Sequence, residues 1–141
     1  MKTPWHLWTV GGLTLAWNAM GAMDYVMTVS RNENYIANFT AERLAFLEAF
    51  PTWTMATWAL AVWLAVAGSL LLLLRSRFSV PVYLAAFIAM AATSIRNLFF
   101  AEVSAVSTMT SFEMLFTVAI IALAIAQWLY ARAMFKRDVL T

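Results

Sequence analysis

The feature that most constrains this chain is a series of four long apolar segments separated by shorter polar ones. A helix needs about 20 apolar residues to cross a hydrocarbon core of about 30 Å. The pattern predicts crossings at about residues 4–27, 52–74, 80–100 and 111–134. The chain is 64% hydrophobic and 11% charged, whereas a typical soluble domain is about 25% charged. We therefore predict an all-α integral membrane protein, an antiparallel four-helix bundle in which residues 1–141 form a single membrane domain.

The segment between the first two crossings is the longest polar stretch, and its two halves differ. The first half, TVSRNENYIANF, has no helical period and is predicted to be a loop. In the second half Thr40 is a good N-cap residue, and an amphipathic pattern follows it. We predict a short helix at about residues 40–50 on the outer membrane surface, either as an ordinary surface helix or as a functional lid. A second polar connection is predicted at Ala101–Thr110.

The distribution of basic residues predicts the orientation of the chain in its membrane. Short cytoplasmic flanks carry an excess of Lys and Arg. If both termini are cytoplasmic, six basic residues lie on that side: Lys2, Arg75, Arg77, Arg132, Lys136 and Arg137. The opposite side then holds three: Arg31, Arg43 and Arg96. We therefore predict that the N-terminus and the C-terminus are both cytoplasmic.

The composition excludes several kinds of chemistry. The chain has no cysteine, which excludes disulfides, thiolate catalysis and Cys-ligated metal sites. Its one histidine, His6, excludes bis-histidine haem ligation and multi-histidine metal sites within one chain. The formal net charge of +2 is too small to indicate nucleic-acid binding. The sequence contains no evident nucleophile–base pair, so we predict no enzymatic activity, no cofactor and no metal.

Three ionisable residues from three predicted crossings are expected to share one layer near the outer boundary. At 1.5 Å per helical residue, Arg96 lies roughly 24 Å and Asp24 roughly 28 Å along their helices from the inner side. Glu113 comes at the outer start of the last crossing. With Asn18 and Asn97, these residues form the candidate polar site. Ionisable side chains inside a membrane often mark a functional site.

The same residues also admit structural explanations. Arg96 paired with Asp24 or Glu113 would fix the register of the helices, and at about 4 Å such a pair gains on the order of 4 kcal/mol. Alternatively, Glu113 closes a capping box with Thr110 at the start of its helix. His6 and Gln127 would form a second, smaller polar layer, although a histidine beside interfacial tryptophans more often lies at the membrane–water interface.

Several motifs give the chain a resemblance to a family. They are PWHLWTVGGLTLAWNAMGAMDYVMT, RNENYIANFTAE, FPTWTMATWALAVW and LLLLLRSRFSVPV. With these motifs the chain resembles a group of small, uncharacterised four-helix inner-membrane proteins of proteobacteria, some of which carry the automatic label "sugar transporter". The resemblance covers most of the chain, and it implies a bacterial inner (plasma) membrane location but no established activity and no catalytic residues.

Two functions remain open from the sequence. A transporter or solute-binding protein would use the outer polar layer, and it would form a homodimer because one four-helix bundle is narrow for a pathway. A non-catalytic accessory or assembly subunit of a larger membrane complex would use its small-residue helix faces and need no site. The lipid bilayer is the expected partner in both cases.

Overall fold

The computed structural model describes residues 2–100 and 109–141, and this part of the chain contains helices and no strand. The six helices are α1 (Trp5–Val29), α2 (Glu33–Ile36), α3 (Ala41–Glu48), α4 (Thr52–Leu73), α5 (Ser79–Ile95) and α6 (Ser111–Lys136). A π-helical turn, Arg96–Phe100, continues α5. The predicted all-α class is confirmed. Most of the predicted connection Ala101–Thr110 lies outside the described residues.

Three of the described helices are long and apolar enough to cross a membrane. They are α4, α5 together with its π turn, and α6. Helix α1 has 25 residues, but it does not reach the hydropathy of the other three. At 1.5 Å per residue it is about 37 Å long, which is sufficient for a crossing. The fourth predicted crossing therefore has the required length and stays a prediction.

Side chains at the N-caps explain where several of the helices begin. Thr40 caps α3 by accepting a hydrogen bond from the Arg43 N–H at 3.2 Å. Thr110 and Glu113 form the capping box at α6 that the sequence predicted. The sequence predicted a loop before α3, and this prediction was wrong for Glu33–Ile36, which are helical. Asn32 caps a single helical turn, α2, by accepting from the Tyr35 N–H at 3.2 Å, and one turn is too short to produce a hydrophobic period.

Three helices end in the same way, with a charged residue in the left-handed conformation. Arg31, Arg75 and Asp138 have φ values of 53°, 57° and 56° after α1, α4 and α6. At α1, the Asn32 N–H reaches back to the carbonyl of Met27 at 3.1 Å. The other two helices repeat this pattern of bonds, which is the Schellman motif. Glycine is the usual residue at that position, and none is present at these three.

The long helices pack as neighbours in sequence order. Helices α4 and α5 form an antiparallel hairpin, α1 lies against α4, and α5 contacts α6. Close approach depends on two glycines. A Cβ at Gly68 would lie 2.7 Å from the ring of Tyr83, and one at Gly11 would lie 2.5 Å from the side chain of Leu73. These glycines therefore allow large side chains of the adjacent helix to pack against the backbone.

The apolar core is concentrated near the turn between α4 and α5, which the basic residues predict to be the inner end. It comprises Leu7, Leu72, Tyr83, Ala131, Met134, Val139 and Leu140. The residues after α6 fold back across this end. The Thr141 N–H donates to the carbonyl of Arg75 at 2.8 Å, and the Arg77 N–H donates to the carbonyl of Thr141 at 3.0 Å. The C-terminal residues thereby join α6 to the α4–α5 turn.

Large apolar side chains are exposed along all four long helices. Examples are Leu13, Leu60, Ile88, Leu115 and Val118, each more than half exposed. In water such a surface would be unfavourable, and the hydrocarbon of a bilayer would accommodate it. The distribution of polarity therefore agrees with membrane insertion of the candidate crossings.

Candidate functional site

A buried polar network links the four long helices around Asn18, halfway along α1. The Asn18 amide Nδ2 donates to Ser69 Oγ of α4 at 2.8 Å and to Gln127 Oε1 of α6 at 2.9 Å. It also approaches the carbonyl of Ala65 at 3.2 Å. On the other side of Ser69, its Oγ lies 2.9 Å from the hydroxyl of Tyr83 in α5. One amide and one hydroxyl therefore hold α1, α4, α5 and α6 together.

The hydrogen bonds of this network converge on Ser69. The Ser69 oxygen accepts from the Asn18 amide, and the Ser69 hydroxyl lies within hydrogen-bond distance of the carbonyl of Ala65 at 3.1 Å and of the Tyr83 hydroxyl at 2.9 Å. Ser69 is fully buried, and Asn18, Tyr83 and Gln127 are each 8% exposed or less. Polar groups at this depth are stabilising only when they are paired. The network therefore specifies how the helices pack.

A second polar contact joins α1 and α6 beside the apolar core. His6 Nδ1 and the Tyr130 hydroxyl are 2.5 Å apart. The sequence grouped His6 with Gln127 in one layer, but the structure separates them. Gln127 contacts Asn18 instead. His6 therefore links α1 and α6.

Arg96 is buried, with 8% of its surface exposed, and it contacts the end of α3. Its Nη2 donates to the carbonyl oxygen of Ala49 at 3.0 Å, and its Nη1 donates to Asn97 Oδ1 at 3.3 Å. The guanidinium also lies 5.2 Å from the ring centroid of Phe50. A cation is favourable at a helix C-terminus, where carbonyl groups lack partners and the helix dipole is negative. Arg96 therefore fixes the junction between α3 and α4.

The predicted ion pair of Arg96 with Asp24 or Glu113 is not formed. Asp24 accepts a hydrogen bond from the phenol of Tyr35 in α2. Glu113 accepts from the Thr110 N–H at 2.8 Å in the capping box. The physical reason is local competition, because each carboxylate has a hydrogen-bond donor near it in the chain. The ion pairs among the described residues are Arg31–Glu48 at 3.4 Å and Arg43–Glu113 at 3.9 Å.

Tyr35 differs electrostatically from an ordinary surface tyrosine. Its phenol donates to the Asp24 carboxylate, and this hydrogen bond raises the pKa of Tyr35 above 10.0. Partial burial and the negative charge of Asp24 raise it further, while Arg43 lowers it. Ionisation of the phenol would remove the proton that holds the contact. The bond between α1 and α2 therefore depends on a neutral Tyr35.

The polar segment between α1 and α4, residues 30–51 with α2 and α3, is called the outer cap here. A cavity of about 80 Å³ lies between the outer cap, the end of α1 and the start of α4. Apolar side chains form most of its wall, and the Arg31–Glu48 pair lies at its edge. Thr28 also lines it, with 9% of its surface exposed. The Thr28 hydroxyl oxygen is buried and has no hydrogen-bond partner in the described part of the chain.

Sequence reasoning placed some of these residues and missed others. It included Asn18 in the polar site, but it assigned no role to Tyr83, Tyr35 or Thr28. A tyrosine inside an apolar helix is a usable signal, because its buried hydroxyl needs a partner. A threonine in a helix gives no such signal, since it commonly bonds to its own backbone. Within residues 2–100 and 109–141, no three His, Asp or Glu side chains are grouped to hold a metal ion.

No protein-family model, curated protein or solved structure matches this chain. The resemblance to small proteobacterial inner-membrane proteins therefore stays an expectation from the sequence motifs. Any function must be argued from the residues themselves.

Proposed function

We propose that this chain is a small multi-pass membrane protein that binds a small solute at its outer end, in the cavity under the outer cap. The observation that carries the proposal is the cavity of about 80 Å³ between the outer cap, the end of α1 and the start of α4, whose wall combines apolar side chains with the Arg31–Glu48 pair. A mostly apolar concave space with a few polar groups is the usual form of a small-molecule site.

We also propose that the four long helices form one antiparallel bundle in a bacterial inner membrane, with both termini in the cytoplasm. Three candidate crossings and the excess of basic residues at the α4–α5 end support this arrangement. The polar network around Asn18 then lies within the membrane and holds the bundle closed. Transport of a solute through the closed interior would require a second copy of the chain or an opening of this network.

Thermal unfolding in mild detergent tests the proposed solute binding. A ligand that binds only the folded state raises the unfolding temperature, and the increase grows with the logarithm of the ligand concentration once this exceeds Kd. A panel of small polar and amphiphilic solutes is compared on the wild type and on Thr28→Leu, which places a larger side chain in the wall of the cavity. We expect at least one solute to stabilise the wild type and not the variant. If every solute shifts both proteins equally, the proposal is wrong.

A non-catalytic accessory subunit is the second candidate, and one observation favours it. An open apolar groove runs between α1 and α4, with Ala19 and Ala22 among its lining and Trp63 at its side. Small residues allow a helix of another protein to approach closely. A stoichiometric partner that co-purifies in mild detergent with the wild type, but not with a variant that carries Ala19→Leu at the exposed side of the groove, would support this function. Co-purification of the same partner with both proteins would exclude the groove as its binding site.

A further inference from the structure

We infer that one end of the long helices binds phospholipids with an anionic headgroup, whose phosphate oxygens accept hydrogen bonds from Arg75 and Arg77. This end is called the basic end here, and it comprises residues 74–78 of the α4–α5 turn and residues 132–141 at the end of α6. The inference goes beyond the proposed solute binding, which concerns the opposite end, and it uses the membrane insertion proposed above. It follows from the charge of the basic end, the position of Arg75 and the apolar residues beside the basic ones.

The basic end carries an excess of positive charge. Its basic residues are Arg75, Arg77, Arg132, Lys136 and Arg137, and its one acidic residue is Asp138. The side chain of Arg75 is half-buried, and the other basic side chains are exposed. Among residues 2–100 and 109–141, the ion pairs lie at the opposite end of the long helices. The described carboxylates therefore leave this positive charge without a direct counter-charge, and such a surface attracts anions.

Hydrogen bonds hold the two parts of the basic end together. The Thr141 N–H donates to the carbonyl of Arg75, and the Arg77 N–H donates to the carbonyl of Thr141. The Arg75 side chain adds a third bond, because its Nε donates to the carbonyl of Val139 at 3.1 Å. Arg75 and Arg77 therefore lie against the residues that follow Arg137, and the charges of the turn and of α6 form one surface.

The guanidinium of Arg75 is positioned to bind a phosphate group. Its bond to the Val139 carbonyl uses Nε and limits the movement of the side chain. The two terminal nitrogens, Nη1 and Nη2, make no hydrogen bond to a described residue and are not closed off from the surface. A guanidinium commonly binds phosphate through two parallel N–H groups. The contact with Val139 therefore presents two donors to one phosphate.

Exposed apolar side chains favour a lipid over a soluble phosphate. Leu74, Phe78 and Phe135 are exposed, and each is next in sequence to a basic residue. A phospholipid carries a phosphate and acyl chains in one molecule, so it contacts both kinds of side chain. A soluble phosphate or a nucleic acid would leave the three apolar side chains in water, which is unfavourable. Clusters of basic residues beside a membrane-crossing helix are typical of sites for anionic lipids.

Native mass spectrometry of the full chain, released from an uncharged detergent, measures which lipids remain bound. The probes are phosphatidylglycerol, which is anionic, and phosphatidylcholine with the same acyl chains, which has no net charge. A basic residue near an anionic lipid surface increases binding about fivefold. We therefore expect the wild type to retain phosphatidylglycerol about fivefold better than phosphatidylcholine, or more. Glycerophosphate at the same concentration carries the phosphate without acyl chains and should not displace the lipid.

Two double variants with equal changes of charge locate the site. Arg75→Gln with Arg77→Gln should lower the preference for phosphatidylglycerol about fivefold. Arg31→Gln with Arg43→Gln removes two charges at the opposite end, about 30 Å away along the helices, and should change the preference less than about twofold. If the first double variant does not fold, Arg77→Gln with Arg137→Gln replaces it, because both of these side chains are exposed.

Equal retention of the two lipids by the wild type would overturn the inference, and so would an equal loss of preference in the two double variants. Displacement of phosphatidylglycerol by glycerophosphate would assign the basic end to a soluble phosphate and would also overturn it. The solute cavity lies at the opposite end of the helices. None of these outcomes therefore changes the test of the proposed function.

Discussion

The Arg96 guanidinium donates a hydrogen bond to the main-chain carbonyl of Ala49 at 3.0 Å, so a side chain at the end of α5 caps the C-terminus of α3. The centroid of the Phe50 ring lies 5.2 Å from the guanidinium carbon of Arg96 and 6.1 Å from the ring centroid of Trp58. Trp58 in turn lines the cavity. Arg96 is therefore a positioning residue for the outer cap, and it acts through the Ala49–Phe50 corner.

Replacing Arg96 by alanine should loosen the outer cap selectively. The variant leaves the Ala49 carbonyl without its charged donor, and a hydrogen bond to a charged group contributes about 1.5–3 kcal/mol. Amide hydrogen exchange should accelerate across residues 41–49 and change little across residues 59–70. Arg31→Ala, which removes an exposed ion pair, is the matched control and should cost less than about 1 kcal/mol. Equal effects of the two variants would contradict the capping role.

Combined substitutions at Arg96 and Asp24 distinguish the observed contact between Arg96 and Ala49 from the ion pair that the sequence predicted. If Arg96 were paired with Asp24, neutralising Asp24 would rescue Arg96→Ala, because an uncompensated buried charge typically costs about 3–5 kcal/mol. The structure places Asp24 on Tyr35 instead. We therefore expect Asp24→Asn to add to the destabilisation by Arg96→Ala. Folded yield of the two single variants and the double variant measures this, and a rescue would restore the ion-pair interpretation.

The network around Asn18 should show energetic coupling between α1 and α6. Hydrogen bonds between membrane helices contribute about 0.6 kcal/mol on average and at most about 1.7 kcal/mol. A double-mutant cycle of Asn18→Ala and Gln127→Ala, measured by reversible unfolding in mixed micelles, should give a coupling energy in this range. The cycle of Asn18→Ala with Thr117→Ala is the control, because the Thr117 hydroxyl donates to the main-chain carbonyl of Glu113 in the same helix. Equal coupling in both cycles would exclude a direct Asn18–Gln127 bond.

Two glycines should respond in opposite ways to alanine. A Cβ at Gly68 would meet the ring of Tyr83 at 2.7 Å, so Gly68→Ala should destabilise the fold by about 1–3 kcal/mol through overpacking. A Cβ at Gly12 meets no atom within 4 Å, so Gly12→Ala should stabilise α1 by about 0.5–1 kcal/mol. Unfolding by denaturing detergent compares the two. Destabilisation by Gly12→Ala as large as that by Gly68→Ala would contradict the packing of α4 on α5.

The Tyr35–Asp24 contact gives the stability of the outer cap a dependence on alkaline pH. The pKa of Tyr35 is raised above its unfolded value of 10.0, chiefly by its hydrogen bond to Asp24. Its contribution is therefore fully present below pH 10.0 and is lost as the pH rises through the folded pKa. The phenolate absorbance of the wild type minus that of Tyr35→Phe isolates the titration of Tyr35, and this difference should appear above pH 10.0. A Tyr35 that titrates at its ordinary pKa would disprove the contact.

Much of the helical fold could be predicted from the sequence, because the apolar segments and the caps are local features. The helix that starts at Thr52 and the capping box at Thr110 depend only on residues nearby. The starts of the four long helices agree with the predicted ones to within one residue. The single turn of α2 was missed because Asn32 supplies a cap without a hydrophobic period.

The candidate site could be predicted only in part, because its partners are distant in sequence. The sequence pattern places Arg96 near the end of α5, but it does not show that the guanidinium contacts the carbonyl of Ala49 and neither of the carboxylates of Asp24 and Glu113. The depth of Arg96 along its helix could be predicted from residue spacing, whereas the group that its side chain contacts could not. The cavity forms where the outer cap packs near Trp58 and Met55, and the spacing of residues in the sequence does not predict this packing.

The left-handed charged residues that end α1, α4 and α6 have a consequence for how the chain meets lipids of different thickness. Sliding a helix along its axis by one turn would move Arg31, Arg75 or Asp138 by about 5.4 Å and carry a charge toward hydrocarbon. In the proposed membrane arrangement, these residues would therefore act as stops that fix the depth of each helix in the bilayer. A thinner or thicker bilayer must then be accommodated by helix tilt or by local deformation of the lipid. We expect the helix boundaries to stay the same across lipids while their tilt angles change.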